Sequence, residues 1–497
     1  MIRSHIIALL SFFISFLPFY DAAAQDMNSV IDKIYARNKR VMERVENKRR
    51  EIDRKYSEYL GKPWVPVEMS EPERSLLDKH EPVSPVPFDP RKDKVDDMVY
   101  RSSPVLKVKE DEVRKDSARH EEFKVNDDIR DRRIQVRCNG VDVVLRFPMD
   151  GTIDLEGTSE PQVAAAWDKL GQIPYDNMLR DISRLKEVLH LSDWSLYRLV
   201  EEVAGTAYGD SRSPEAVLLS AYVLNRFGFL LCLANSDNGM LYKCMATDMG
   251  VFNYPCYIFD GSAYYIFDES APTNIRMMDL NMNGERPMLM RMNRDEVFYP
   301  DYSEKRIYMS ERYPEARVEV RADKSLIAHY DDYPSFYSNG DPLTAFYYHA
   351  MMPLCKDISD KVYPVLQRAV SGKTEYDAVN VILNFVQTAF VYEYDEVLWG
   401  KERYLYPDEV WYYNRCDCED RSVLLSRLIR DIMGLEVALV YWEGHLSCAV
   451  CFNSHVKGAS FEVSGKSYVS CDPTYIGAGV GAVMPAVKDK EAHLIVL

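Results

Sequence analysis

The clearest alternation of apolar and polar positions lies in RIQVRCNGVDVVLRF, residues 133–147. Ile134, Val136 and Cys138 alternate on one side of Asn139-Gly140, and Val141, Val143 and Leu145 alternate on the other. A period of two around Asn-Gly predicts a β-hairpin closed by a type I′ turn. The pattern then turns helical. Ser192 or Asp193 caps a predicted helix running to about Ala207, and SPEAVLLSAYVLNRFG (213–228) predicts a second, stopped by Gly228. FLLCLA, MLYKCMA, CYIFDG and AYYIFD predict short strands, and more strands are expected over 276–345. Near residue 350 the order starts again. A helix is expected around 375–390 and another at 418–433, stopped by Gly434. LEVALVYW, HLSCAVCF, ASFEVSG and SYVSCDPT then predict four strands. Two helices followed by a meander predict an α+β unit.

The two units read as duplicates. VLLSAYVLNRFGFLLCLA (217–234) aligns without gaps with VLLSRLIRDIMGLEVALV (423–440), and AYYIFD, ending at Asp268, parallels SYVSCD, ending at Asp472. In this alignment Arg212 stands opposite Cys418, so residues 131–345 form a copy without a nucleophile and residues 350–497 the intact one.

The N-terminal third has a different character. MIRSHIIALLSFFISFLPFYDAAAQ joins a basic start, an apolar run and small residues at 22–24. That is the pattern of a signal peptide over 1–24, and the run is too short to span a membrane. The expected location is outside the cytoplasm, periplasmic or extracellular. Residues 25–60 predict a charged helical arm, with Ser29 and Asp32 as a capping pair and Ile34, Val41, Val45, Ile52 and Tyr59 as a narrow apolar stripe. Such an arm either mediates docking or oligomerisation or stays solvated. Residues 61–130 carry eight prolines in a charged stretch and predict a partly disordered linker. The net charge of −17 argues against nucleic-acid binding, which needs a basic face. Ten cysteines in an exported chain make disulfides the default, but their spacing fixes no pairing.

The chemistry concentrates in NRCDCEDRSVLL (414–425). Asp417 can cap the helix with Asp420 three residues on, which puts Cys418 at its first position. There a thiolate feels the positive end of the helix dipole, and the free N–H groups can hold an oxyanion. A thiol nucleophile needs a base, and the base needs an orienter. His445 begins one strand and Asp472 ends another, so both can converge on the helix N-terminus. Gln387 or Asn384, on the preceding helix, can serve as an oxyanion donor. Three rivals stand beside this triad. Cys416, Cys418, His445, Cys448, Cys451, His455 and Cys471 are soft metal ligands, but at unusual zinc spacings. Cys416 and Cys418 can form a redox pair, though without the usual motif. An inert fold can also keep its groove and act as a binding module.

CDCEDRSVLLSRLIRDIMG, GHLSCAV and YVSCDPT together resemble the transglutaminase-like superfamily of papain-like thiol enzymes, and within it the bacterial transglutaminase-like cysteine peptidases. YEYDEVLWGKERYLYPDEVW (392–411) is similar to their segment before the cysteine. The resemblance covers residues 365–480. It implies that Cys418, His445 and Asp472 are the triad and that the reaction is acyl transfer from an amide of a protein or peptide: hydrolysis, or crosslinking to an amine. No cofactor is required for that chemistry. In some peptidases of this type the acids beside the cysteine bind calcium, and Asp417 and Glu419 occupy those places. One departure is Cys416, a second thiol where the family has glycine.

Overall fold

The computed structural model describes residues 50–497, except 52, 94, 96, 101–102, 107, 109–129, 269 and 279–285. The expected signal peptide and most of the arm lie outside the described residues. The end of the arm is helical at 53–60. It is docked, because Tyr56 and Leu60 are fully buried and Tyr56 stacks on Trp167 at 4.2 Å.

The expected hairpin forms in full register from Asp131↔Pro148 to Cys138↔Val141. Asn139 and Gly140 both have positive φ (45° and 83°), as a type I′ turn requires. Helices Asp193–Tyr208 and Pro214–Arg226 follow, with Ser192 and Ser213 as caps. The region 276–345 is less strand-rich than expected. Lys324–Asp332 and Thr344–Met351 are helices, too short for their sequences to show a clear period. Helix Lys356–Val370 was not anticipated, and it carries Pro364.

The stretch expected as a linker is largely built into the fold. Strand Val65–Ser70 pairs with both Asn274–Met277 and Cys256–Phe259 and closes a six-stranded barrel. Val99–Tyr100 and Ser103–Leu106 form the two edges of a seven-stranded sheet in the C-terminal unit. Proline and charge density suggested too little apolar surface to order this segment. Trp64, Leu77, Phe88 and Tyr100 supply enough, packed into three separate cores.

The two sheets share a topology. After helix Pro214–Arg226 come Leu231–Asn235, Leu241–Ala246, Cys256–Phe259, Ser262–Tyr265 and Asn274–Met277. After helix Cys418–Met433 come Glu436–Trp442, His445–Cys451, Ser460–Val463, Lys466–Cys471 and Ala492–Val496. In both sets the spatial order is fifth, first, second, fourth, third, with antiparallel pairing throughout. The protein is therefore α+β. The C-terminal core begins earlier than the sequence suggested, since it recruits Tyr308, Val318 and Val320.

The Cys418–Met433 helix is the centre of that core. From Cys418 to Ile429 every residue but Arg427 is buried. Leu424, Leu425, Leu428 and Ile429 are fully enclosed, each contributing roughly 1.5–3 kcal/mol by burial. The helix packs on the sheet beneath and on helices Glu375–Ala389 and Thr344–Met351. Gly434, at φ 66°, ends it.

Candidate functional site

The site is built where the first turn of this helix meets the sheet. Asp417 is the N-cap and forms a capping box with Asp420, so Cys418 opens the helix as the sequence predicted. Two buried groups pin this turn in place. The Arg421 guanidinium donates to the carbonyls of Gln387 (3.1 Å), Phe390 (2.8 Å) and Pro473 (3.4 Å). Ser422 Oγ donates to the Leu446 carbonyl at 2.9 Å. The helix start is thereby tied to the preceding helix, to the residue after Asp472 and to the residue after His445.

Sheet register brings the other two residues together. His445–Cys451 pairs with Lys466–Cys471 through Cys448↔Cys471. The start of one strand thus lies near the end of the other. His445 Nε2 and Asp472 Oδ2 are 3.0 Å apart, and both residues are buried. Asp472 Oδ1 accepts from the Thr474 amide (2.8 Å) and hydroxyl (2.7 Å). This is why the sequence reads Asp-Pro-Thr: the turn saturates the second oxygen. Burial pushes the Asp472 carboxyl up, but His445 and the Thr474 donors outweigh it and hold it below the usual carboxylate range. His445 Nδ1 is buried and has no hydrogen-bond partner. With Nε2 engaged by the carboxylate, Nδ1 is the nitrogen left for a reacting proton.

Gln387 has a different role from the one expected. Its side-chain nitrogen donates to the carbonyls of Asp472 (3.1 Å), Tyr475 (2.9 Å) and Ala478 (3.1 Å), and its oxygen accepts from the Gly477 amide at 3.2 Å. With its amide engaged at both ends it is not free to meet an oxyanion, and it positions the Asp472 loop instead. The Asn384 side-chain oxygen accepts from Ser310 Oγ (2.7 Å) and the Arg312 amide (3.1 Å).

The Cys418 sulfur faces acid. Its hydrogen bond goes to Glu419 Oε2 at 3.2 Å, and the Leu446 amide lies against it. Burial pushes the thiol well above its ordinary value and the Asp417 charge adds to this. The sequence pointed to the helix N-terminus as activating the thiol; burial and the Asp417 charge act against that activation. The acids form a cluster. One oxygen each of Asp395, Glu402, Asp417 and Glu419 lies within 4.8 Å of the others. Asp395 Oδ1, Asp417 Oδ1 and Glu419 Oε1 are buried without hydrogen-bond partners. Burial, reinforced by the mutual repulsion of the acids, pushes Asp395 up to about 11 and Asp417 and Glu419 well above the usual range. An all-oxygen set of this kind fits a hard divalent cation such as calcium and does not fit zinc.

Sequence reasoning named Asp417 and Glu419 but missed Asp395 and Glu402. The available signal was the acid density of YEYDEVLWGKERYLYPDEVW. That segment is held by Asp420 Oδ1 accepting from the Leu405 amide (2.8 Å) and by Asp395 Oδ2 accepting from the Arg403 amide (2.7 Å).

The cysteine-rich alternatives are not assembled. Among the described residues the one group placed to hold a metal is the acidic one, and all ten cysteines are thiols. Cys416 Sγ turns to the Val391 carbonyl at 3.9 Å. In the first unit the residues aligned with Cys418 and Asp472 also meet, as an ion pair of Arg212 and Asp268 at 3.8 Å, and the strand corresponding to that of His445 begins at Leu241. No protein-family model matches the chain, and no curated protein matches it.

Replacing Asp472 by Asn tests the buried pair. A carboxyl held below its unfolded value of about 3.9 stabilises the fold above that pH, and the stabilisation is lost as pH falls through the native value. The expected loss at pH 7 is roughly 3 kcal/mol. In urea unfolding, the gap between wild type and Asp472→Asn should shrink below about pH 4. A gap that stays constant down to that pH would contradict the assignment.

Proposed function

We propose that the C-terminal unit is a transglutaminase-like thiol enzyme acting on amide bonds of a protein or peptide. The observation that carries this reading is the buried His445–Asp472 pair, with Nδ1 free, and a cysteine that opens a helix with its sulfur against the amide of Leu446, the residue after His445. Cys418 attacks the amide carbonyl and its proton passes to His445 Nδ1. The backbone N–H groups of the helix start receive the oxyanion. His445 then gives the proton to the departing amine, leaving a thioester on Cys418. Water or a second amine resolves the thioester, giving hydrolysis or transfer. Asp472 fixes the imidazole tautomer, as the orienting acid does in other triads. Attack requires the sulfur to exchange Glu419 for His445.

Asp395, Glu402, Asp417 and Glu419 would hold the calcium ion, whose charge would offset the acids beside the thiol. The first unit is read as a degenerate copy of the same fold, on the strength of the shared strand order and the Arg212–Asp268 pair. The first 24 residues support export to the periplasm or the exterior. A catalytically inert peptide-binding module is the second reading, favoured by one observation: the sulfur is bonded to Glu419 and only 4 % of Cys418 is exposed.

Two measurements check this. On a library of peptide amides, with millimolar calcium present, Cys418→Ala should abolish cleavage and amine transfer. His445→Ala should lower turnover at least about a thousandfold. Unchanged activity in Cys418→Ala would refute the enzyme reading. Calcium should raise the thermal midpoint relative to chelator. A free concentration of a hundred times Kd adds about 2.7 kcal/mol. Asp395→Asn should remove most of that gain, and an equal gain in the variant would place the ion elsewhere.

A further inference from the structure

A segment of the chain far from the triad in sequence lies across it. The Val83 amide donates to the carbonyl of Gly444, the residue immediately before His445, at 2.9 Å. The approach is backbone to backbone. Gly444 has φ 76°, and a Cβ there would come within 2.4 Å of the Glu81 carbonyl oxygen. Five residues on, the Phe88 amide donates to the Ile476 carbonyl at 2.9 Å, and Pro87 bridges to Ile476 in parallel. Ile476 lies in the loop that follows Asp472. Between these anchors Tyr394, from the segment before the cysteine, donates to Ser84 Oγ at 2.9 Å. His80 Nδ1 meets Glu443 Oε1 at 2.9 Å just ahead of the strap. Residues 81–88 thus touch the turn before His445, the loop after Asp472 and the segment before the cysteine.

The manner of attachment is that of a bound peptide. Val83 and Pro85 are half-buried while Ser84 and Val86 are exposed, the alternation of an extended strand. Both anchoring donors are main-chain amides. Pro82, Pro85 and Pro87 pre-set the extended conformation and lower the entropy lost on binding. Apart from Val83 and Phe88, which pack on the neighbouring core, the strap adds little to the interior. A strand whose amide bonds to Gly444 passes one residue from His445.

We propose that residues 81–88 occupy in cis the groove that takes the substrate, and that the substrate class is an extended, proline-containing peptide segment bound through its main chain to the carbonyls of Gly444 and Ile476. The inference rests on the amide-handling reading of the site, and the strap must leave before a substrate can enter.

The test uses the full chain with residues 82–88 replaced by glycine and serine at equal length, in a Cys418→Ala background so that binding is read without turnover. A fluorescent peptide of residues 79–90 should bind the replaced protein at least about tenfold more tightly than the protein with its strap intact, by anisotropy. The same peptide N-methylated at the residue corresponding to Val83 should lose at least about tenfold, about 1.4 kcal/mol, because its donor to Gly444 is gone. Equal binding to both proteins, or no binding to the folded replaced protein, would overturn the proposal. If the replacement does not fold, Val83→Pro, which removes the amide donor to Gly444, serves in its place with the same two outcomes. Peptide binding together with no activity in any protein retaining Cys418 would leave the groove standing and remove the enzyme reading.

Discussion

Four carboxylates meet at the buried start of one helix, and the rest of the C-terminal unit is arranged around that fact. Uncompensated, such a cluster opposes ionisation of its own members and of any thiol beside it. Here the Cys418 thiol donates its hydrogen bond to Glu419. The surrounding backbone is tied to these acids by hydrogen bonds. Asp420 holds the Leu405 amide, Asp395 the Arg403 amide, and the capping box holds the helix start. On the proposed reading, a divalent cation held there would offset this charge.

On the other side of the sulfur the problem is geometric. His445 and Asp472 come from two strands, and Cys418 from a helix. Register alone places the strands to within a residue. The remaining precision comes from polar side chains that bind backbone. Arg421 spans three carbonyls and Gln387 spans three carbonyls and an amide, joining the helix pair to the Asp472 loop. Either one, buried without these partners, would carry a large desolvation penalty. Both act on the site by holding backbone in place.

Much of this was legible in the residues. The hairpin at 131–148, the helix from Cys418 and the strands of His445 and Asp472 were all visible as period and punctuation, because each is a local pattern. The shared strand order of the two units was foreshadowed by the alignment of 217–234 with 423–440. What escaped were the long-range partnerships. The prolines of 61–106 looked like a linker because nothing local shows that Val65–Ser70 closes a barrel or that Val99–Tyr100 edges a distant sheet. Gln387 looked like a free polar donor because its carbonyl partners lie some 90 residues on. Asp395 and Glu402 carry no local signal of a shared role, and only the fold brings them to Asp417 and Glu419.

The central claim is that Cys418, His445 and Asp472 act as one unit. Its most direct test is the rate of iodoacetamide alkylation at Cys418 at neutral pH with calcium present, read by mass spectrometry in wild type, His445→Ala and Asp472→Asn. The account predicts labelling in wild type faster than that of an ordinary cysteine, at least about tenfold slower in His445→Ala and intermediate in Asp472→Asn. Equal rates in all three proteins would mean that the histidine does not act on the sulfur, and would contradict it.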